Sequence, residues 1–210
     1  MRIGILGGSF NPPHLRHQEM IEYLLKNNYV DKLIVVPTGK MYEYKNNLID
    51  NKYRYEMLQI ISKNYENVIV SDYEFKEEVV HSFDTLSYYS KIYPNDEICF
   101  ICGTDNLNYM DKWYRGLELL KKYTIIAINR NHDNFEAMLN KYQGLYKKII
   151  KCDLIESPIS STTIREKIAN NEPTTGLLNP DVALYIKENG LYKSICQKKK
   201  SKIYLKILDK

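Results

Sequence analysis

Six short apolar runs, separated by segments with helical periodicity, constrain the fold of this chain more than any other feature. The runs lie at 2–6, 32–37, 67–71, 97–102, 124–128 and roughly 148–152. Two of them, 33–36 and 124–128, are almost continuously apolar, which is typical of strands that are buried on both faces of a parallel sheet. The pattern therefore predicts an α/β fold, a Rossmann-like doubly wound parallel sheet with right-handed crossovers and helices on both faces.

Length and composition fit one domain. The 210 residues are 44% hydrophobic, no apolar run approaches the ~18 residues that cross a bilayer, and the N-terminal run is too short for a signal peptide. We expect a single domain over 1–192 with a small C-terminal helical extension, a lysine-rich tail over 193–210, and a cytoplasmic location. Much of the net charge of +4 lies in that tail, which lacks interleaved aromatic residues. Neither nucleic acid nor a membrane is therefore an expected partner.

The four cysteines, at 99, 102, 152 and 196, form no disulfide framework for a chain of this size. Cys99 and Cys102 make a CxxC pair, but this pair lies inside the fourth predicted strand. Because side chains alternate along a strand, the two thiols are expected on opposite faces of the sheet. No second pair follows at metal-ligand spacing, so we predict no protein-held metal and no redox function for these cysteines.

A glycine-rich turn with two histidines follows the first apolar run, in the segment GGSFNPPHLRH at Gly7 to His17. A helix N-terminus offers unpaired N–H donors, and Gly7 and Gly8 let an anion approach the backbone. If the helix begins near Pro13, His14 and His17 share one face. We interpret the segment as a phosphate site, with a plain turn and two surface histidines as the alternative. The GxGxxG fingerprint is absent, which disfavours an NAD-dependent oxidoreductase.

Residues that can hold phosphate or sugar also follow the other predicted strands. They occur at 37–45, at 103–105 and at Arg130. The segment 157–165 adds a hydroxyl-rich helix start, in which Thr163 and Glu166 fit a capping box and Arg165 could reach the β- and γ-phosphates of a nucleotide. Capping alone is the other explanation for its hydroxyls. Because parallel strands end at one edge of the sheet, these residues are expected to form one site.

Several motifs carry a family resemblance. The segment 7–17 resembles GG(T/S)FDPxHxGH, 159–165 resembles ISSTxIR, 103–113 resembles a GxD segment ending in Lys-Trp, 81–85 resembles SYTxDT, and 178–192 is similar to a closing helix. Over nearly its whole length the chain resembles nucleotidyltransferases of the (T/H)xGH superfamily, and among them the nicotinate mononucleotide adenylyltransferases. This resemblance implies transfer of AMP from ATP to nicotinate mononucleotide, which gives deamido-NAD and pyrophosphate. Magnesium would accompany ATP, held mostly by phosphate oxygens and water.

The resemblance also implies roles for individual residues. His14, His17 and Arg165 would hold the phosphates and stabilise charge during transfer. The ATP-binding residues would be Gly7, Gly8, Ser9, Phe10, Lys45, Gly103, Asp105, Ile159, Ser160, Ser161 and Thr162, with Lys40 competing with Lys45. The acceptor-binding residues would be Arg54, Asp84, Thr85, Trp113 and Arg130. A packed core position is the alternative for Trp113, and a surface helix position is the alternative for Arg54.

Three departures from the family pattern bear on the acceptor and on turnover. Arg16 stands where the HxGH motif has glycine, so its side chain must stack on the adenine, turn to solvent or obstruct the site. Asn11 replaces an aspartate, and the loop after the second strand is remodelled. Two alternatives follow: a nucleotidyl transfer with another acceptor, such as nicotinamide mononucleotide, or an ATP-binding regulatory protein without turnover. The oligomeric state is left open, with a homodimer as one option.

Overall fold

The computed structural model describes residues 1–39, 48–129, 134–154 and 157–193. Within these ranges six strands form one sheet, and their bounds are β1 Arg2–Gly8, β2 Lys32–Pro37, β3 Val68–Val70, β4 Glu97–Gly103, β5 Thr124–Ile128 and β6 Lys148–Cys152. The strand order is β3-β2-β1-β4-β5-β6, and every neighbouring pair is parallel. The predicted parallel α/β sheet is confirmed, with each strand within two residues of its expected bounds.

Eight α-helices connect or follow the described strands. They are α1 Leu15–Lys26, α2 Asn51–Ser62, α3 Ser82–Ile92, α4 Thr104–Asn108, α5 Gly116–Lys122, α6 Phe135–Lys141, α7 Ser161–Ala169 and α8 Pro180–Glu188, with a 3₁₀ turn at Met110–Lys112. Two helix starts differ from the sequence prediction. The N-cap of α1 is His14, so the helix begins two residues after Pro13. The N-cap of α7 is Ser160, which accepts from the Thr163 N–H, so the expected Thr163–Glu166 capping box is wrong.

The four central strands of the sheet, β2, β1, β4 and β5, are buried on both faces, as their continuous apolar runs require. Leu33 and Val35 belong to the cluster packed by α1, α2, α7 and α8, whereas Ile34 and Val36 belong to the cluster packed by α3, α5 and α6. Cys99 and Cys102 also fall in opposite clusters, as their spacing predicted. Burial raises the pKa of the Cys99 thiol to about 12, so this thiol stays protonated and unreactive at neutral pH.

The order of the strands fixes where a ligand can bind. The chain runs outward from β1 through β2 to β3, and then returns to pair β4 with the other side of β1. In open parallel sheets such a reversal leaves a crevice beyond the carboxyl ends of the two central strands. Here β1 ends at Gly8 and β4 ends at Gly103, so the loops after these strands form the edge of that crevice.

Candidate active site

A cavity of about 670 Å³ opens at the carboxyl ends of β1 and β4, and we call it the main cavity. Its walls include the loop after β1, the end of β4, the segment around Trp113, the start of α3 and the start of α7. The sequence-predicted residues that line it are Gly7, Gly8, Ser9, Phe10, His17, Gly103, Trp113, Ser161, Thr162 and Arg165. The structure therefore brings together residues up to 158 positions apart in the chain.

A second cavity of about 340 Å³, the side cavity, adjoins the main one. The two share four lining residues: His17, Met20, Ile128 and Ser161. Four further predicted residues line the side cavity, namely His14, Asp105, Ile159 and Ser160. The predicted nucleotide-binding residues therefore divide between two adjoining spaces, which suits a ligand that has a charged part and an uncharged part.

The two histidines lie at the start of α1, where the helix presents its free N–H groups. Their rings stack with centroids 3.8 Å apart and planes at 28°, and the edge of Phe10 meets His17 at 4.9 Å. The His14 backbone N–H donates to Nδ1 of His17 over 3.1 Å. A nitrogen that accepts this bond carries no proton, so Nε2 of His17 bears the N–H and acts as a donor. The expected shared face is confirmed.

The start of α7 is tied directly to the loop after β1. The Ser161 hydroxyl donates to the Pro12 carbonyl over 2.8 Å, and Nη1 of Arg165 donates to the Asn11 carbonyl over 2.8 Å. Nη2 of Arg165 also donates to the Thr162 hydroxyl over 3.2 Å. A guanidinium carries five N–H donors in a fixed plane, so these bonds orient it while other donors remain for a ligand. The hydroxyls of this segment do more than cap the helix.

We call the part of the main cavity lined by the loop after β1 and the start of α7 the near wall, and the part lined by Trp113, Ser82 and Glu74 the far wall. Trp113 is half-buried and meets the ring of Phe100 edge-on, with centroids 6.2 Å apart. The indole therefore has a packed edge and also forms part of the cavity wall. On the near wall, Gly7 borders open space, since a Cβ added there would meet no protein atom within 4 Å. Both positions leave room for a ligand.

Two other predicted acceptor residues form hydrogen bonds within the protein. Thr85 is 2% exposed, and its hydroxyl donates to Oε1 of Glu74 over 2.8 Å. The Asp84 carboxylate accepts from the His81 backbone N–H over 3.2 Å and so closes the first turn of α3. The Thr85 side chain therefore packs against Glu74 inside the protein, and the predicted acceptor contact at this position stays a prediction. Instead, Ser82 and Glu74 line the cavity here.

Arg54 needs the largest correction. Rather than facing an acceptor or the surface, it is fully buried on α2. Its guanidinium donates to the carbonyls of Ser9 over 2.9 Å and Thr38 over 2.7 Å, and also to the Ile49 carbonyl over 3.2 Å. Burial lowers the pKa of this guanidinium, since desolvation disfavours its charge. Arg54 therefore connects the loops after β1 and β2 through hydrogen bonds made inside the protein.

Sequence reasoning missed a further contact between Tyr192 and the loop after β1. The Tyr192 hydroxyl donates to Oδ1 of Asn11 over 2.9 Å, and Oδ1 of Asn11 also accepts from the Ile49 N–H over 3.4 Å. Burial strongly raises the pKa of Tyr192, so it is a neutral donor at physiological pH. Only the resemblance of 178–192 to a closing helix pointed to this end of the chain, and it gave no partner.

Some predicted residues fall outside the described ranges: Lys40, Lys45, Arg130 and positions 194–210 of the lysine-rich tail. Within those ranges no group of three or more His, Cys, Asp or Glu residues is placed to hold a metal ion. No helix in the described part of the chain is long and apolar enough to cross a membrane.

The open parallel sheet, with the glycine-rich loop after β1 hydrogen-bonded to the start of α7, agrees with the nucleotidyltransferase class that the motifs predict. The family model described as cytidylyltransferase-like matches residues 5–167. A Bacillus subtilis protein named nicotinate-nucleotide adenylyltransferase is 34% identical over 203 residues, covering 92% of this chain and 99% of its own length. A Carboxydothermus hydrogenoformans protein, named "Probable nicotinate-nucleotide adenylyltransferase", is 36% identical and covers 91% of this chain and 98% of its own length. This chain belongs to the nicotinate-nucleotide adenylyltransferase family.

The fold is shared with solved structures. The Plasmodium falciparum nicotinic acid mononucleotide adenylyltransferase, solved in complex with NaAD, superposes with a TM-score of 0.77 at 24% identity. The match covers 91% of this chain and 97% of that one. A second structure of the same Plasmodium enzyme, complexed with APC, gives a TM-score of 0.76. These matches agree with the doubly wound sheet described above.

Proposed function

We propose that this protein transfers AMP from ATP to nicotinate mononucleotide, forming deamido-NAD and pyrophosphate in the biosynthesis of NAD. One observation carries the proposal: the Gly7–His17 segment and the start of α7 are hydrogen-bonded directly to each other, and both line one cavity whose far wall contains Trp113. The first two elements suit a triphosphate, and the indole suits an aromatic ring.

The reaction requires alignment more than acid–base chemistry. An oxygen of the mononucleotide phosphate attacks the α-phosphorus of ATP, a new P–O bond forms, and the bond to the β-phosphate oxygen breaks as pyrophosphate leaves. The acceptor phosphate is already anionic at neutral pH, so no general base is needed. Catalysis therefore depends on holding both nucleotides in line and on stabilising the charge that collects on the leaving group.

The groups that would donate hydrogen bonds to the phosphates lie on the near wall. We assign the Nε2–H of His17 to the α- and β-phosphates, with His14 stacked behind it and bonded to it through the backbone. Arg165 supplies a fixed positive charge for the β- and γ-phosphates. Gly7 and Gly8 expose backbone next to these groups without a Cβ in the way. The predicted phosphate contacts of Lys40 and Lys45 stay predictions.

Magnesium fits this site as a partner of the phosphates. The side cavity offers one carboxylate, Asp105, and no three-residue metal cluster is formed by the described residues. Mg²⁺ commonly keeps several waters and binds through one or two carboxylates together with substrate phosphates. When bound, it would neutralise charge on the leaving pyrophosphate. Asp105 could bind either this ion or a ribose hydroxyl.

The acceptor is assigned to the far wall. The pyridine ring would lie on Trp113, and its carboxylate would meet the first turn of α3, where Ser82 lines the cavity. Thr85 and Asp84 would support that turn from within rather than touch the acceptor. Both substrates are charged nucleotides that do not cross membranes freely, so we propose the cytoplasm as the site of the reaction.

The test is an acceptor panel. The full chain, with ATP and Mg²⁺, is incubated with nicotinate mononucleotide, nicotinamide mononucleotide or an alcohol phosphate, and pyrophosphate release is measured. The proposal expects release with nicotinate mononucleotide and the highest kcat/KM for that acceptor. A higher kcat/KM for another acceptor would overturn the assigned substrate. ATP binding without pyrophosphate from any acceptor would overturn the enzyme assignment in favour of a regulatory nucleotide-binding protein.

A further inference from the structure

Arg16 occupies an unusual position between the two histidines. It is the second residue of α1, and its side chain is only 14% exposed. Nη1 of Arg16 bonds to Oε2 of Glu19, one turn further along the helix, over 3.2 Å. The residue lines the side cavity together with His14 and His17. Of the three placements open to this side chain, the turn toward solvent is therefore not the one the structure shows.

The side cavity has the chemistry of a nucleoside pocket rather than a phosphate pocket. Met20, Ile128 and Ile159 give it apolar walls, and Asp105 and the serine hydroxyls can meet a ribose. Its volume of about 340 Å³ is in the range of small-ligand pockets. It opens to the phosphate donors through His17 and Ser161, which line both cavities.

Asn129 supplies an independent sign that a ligand belongs here. Its Oδ1 is buried and has no hydrogen-bond partner within the part of the chain that the structure describes. Asn129 lines the same cavity as Arg16. A buried acceptor without a donor is costly, so such an atom generally meets a ligand or a water. An exocyclic amino group, such as the one on adenine, is a donor of the right kind.

We propose that the guanidinium of Arg16 stacks on the base of ATP in the side cavity, so that Arg16 contacts the base and sets the enzyme's base preference. A guanidinium is planar and weakly hydrated, and it stacks on aromatic faces better than an ammonium does. Glu19 positions Arg16 by holding one edge of that plane. The inference rests on the proposed function, because it takes the bound nucleotide to be ATP with its phosphates at His17 and Arg165.

The experiment compares Arg16→Gly, Arg16→Lys and Glu19→Gln with the natural protein in KM and kcat for ATP at saturating nicotinate mononucleotide. Stacking predicts that Arg16→Gly raises KM for ATP by about fivefold to thirtyfold with a smaller change in kcat. Arg16→Lys keeps the positive charge but loses the planar guanidinium, so its KM for ATP should lie between those of the natural protein and Arg16→Gly. Glu19→Gln should raise KM for ATP by less than Arg16→Gly does. Arg2→Lys is the matched control, since Arg2 pairs with Glu97 over 3.2 Å at the start of β1, at the opposite end of the sheet.

Two results would overturn the role of Arg16. A lower KM for ATP in Arg16→Gly would mean that the side chain obstructs the base, and an unchanged KM would mean that it makes no contact. A change of substrate adds a second readout: stacking predicts that the preference for ATP over CTP falls in Arg16→Gly, because the larger purine face loses more contact.

The outcome stays separable from failure of the proposed function. If the natural protein releases no pyrophosphate with any acceptor, the proposed function fails, yet titration of ATP into the natural protein and into Arg16→Gly still measures the stacking contact. Weaker ATP binding by the variant would then uphold the role of Arg16. Equal or tighter binding, or no ATP binding by the natural protein, would overturn it.

Discussion

The near wall and the far wall of the main cavity use their predicted residues differently. On the near wall, Ser161 and Arg165 bond to carbonyls of the loop after β1 and also line the cavity. On the far wall, Thr85 and Asp84 form hydrogen bonds within their own part of the protein, and the cavity is lined by Ser82, Glu74 and Trp113 instead. All four of these hydrogen-bonding residues lie in the first two turns of a helix, so a helical position alone does not decide which way a side chain faces; the groups packed around it do.

Arg54 gives the strongest test of this difference. We expect Arg54→Met to lower the free energy of unfolding by about 3 kcal/mol or more, because it removes the guanidinium bonds to the buried Thr38 carbonyl and the partly buried Ser9 carbonyl, at about 1–3 kcal/mol each. The measurement is denaturant unfolding, with Arg54→Lys as an intermediate variant. Arg2→Met, which breaks a half-exposed pair with Glu97, should cost less than about 1 kcal/mol. Unchanged stability with a raised KM for nicotinate mononucleotide would restore Arg54 to the acceptor site.

His17 tests the near wall itself. We expect His17→Ala to lower kcat by more than about tenfold, since loss of one charge-assisted contact in the transition state costs roughly 2–3 kcal/mol. The fold should persist, because His17 is only partly buried at the helix start. His17→Gln, whose amide can donate near the position of Nε2, should recover part of the rate. An unchanged kcat in His17→Ala would remove the assigned role.

How far sequence could predict the molecule follows from the same contrast. The strands were predictable because continuous apolar runs such as 33–36 suit a sheet that is covered on both faces. Local motifs placed His17 and Arg165 near the starts of helices that follow strands, and the topology brought them together. Nothing in a linear pattern shows that the guanidinium of Arg54 meets carbonyls 16 and 45 residues away, or that Tyr192 reaches Asn11. Such bonds depend on tertiary packing.

Trp113 tests the far wall. We expect Trp113→Ala to raise KM for nicotinate mononucleotide by about fivefold, because an aromatic pair is worth roughly 0.5–1.5 kcal/mol beyond its buried area. KM for ATP should change less. In Trp113→Phe, KM for nicotinate mononucleotide should lie between those of the natural protein and Trp113→Ala. The same substitution also removes the edge contact with Phe100, so unfolding is measured in parallel. Lower stability with an unchanged KM would show that the indole serves only as packing.

The smallest effect expected separates two neighbours at the start of α3. Thr85→Val removes the donor to Glu74 at almost constant volume, so unfolding should become easier by about 1 kcal/mol while KM for nicotinate mononucleotide stays within about twofold. Ser82→Ala, on the cavity side of the same helical turn, should instead raise that KM by a few-fold and leave stability nearly unchanged, because its side chain lines the cavity. The opposite pattern would exchange their roles and place the Thr85 hydroxyl on the acceptor after all. Because one helical turn holds both side chains, a difference between these variants reports which way each one faces and not how well α3 forms.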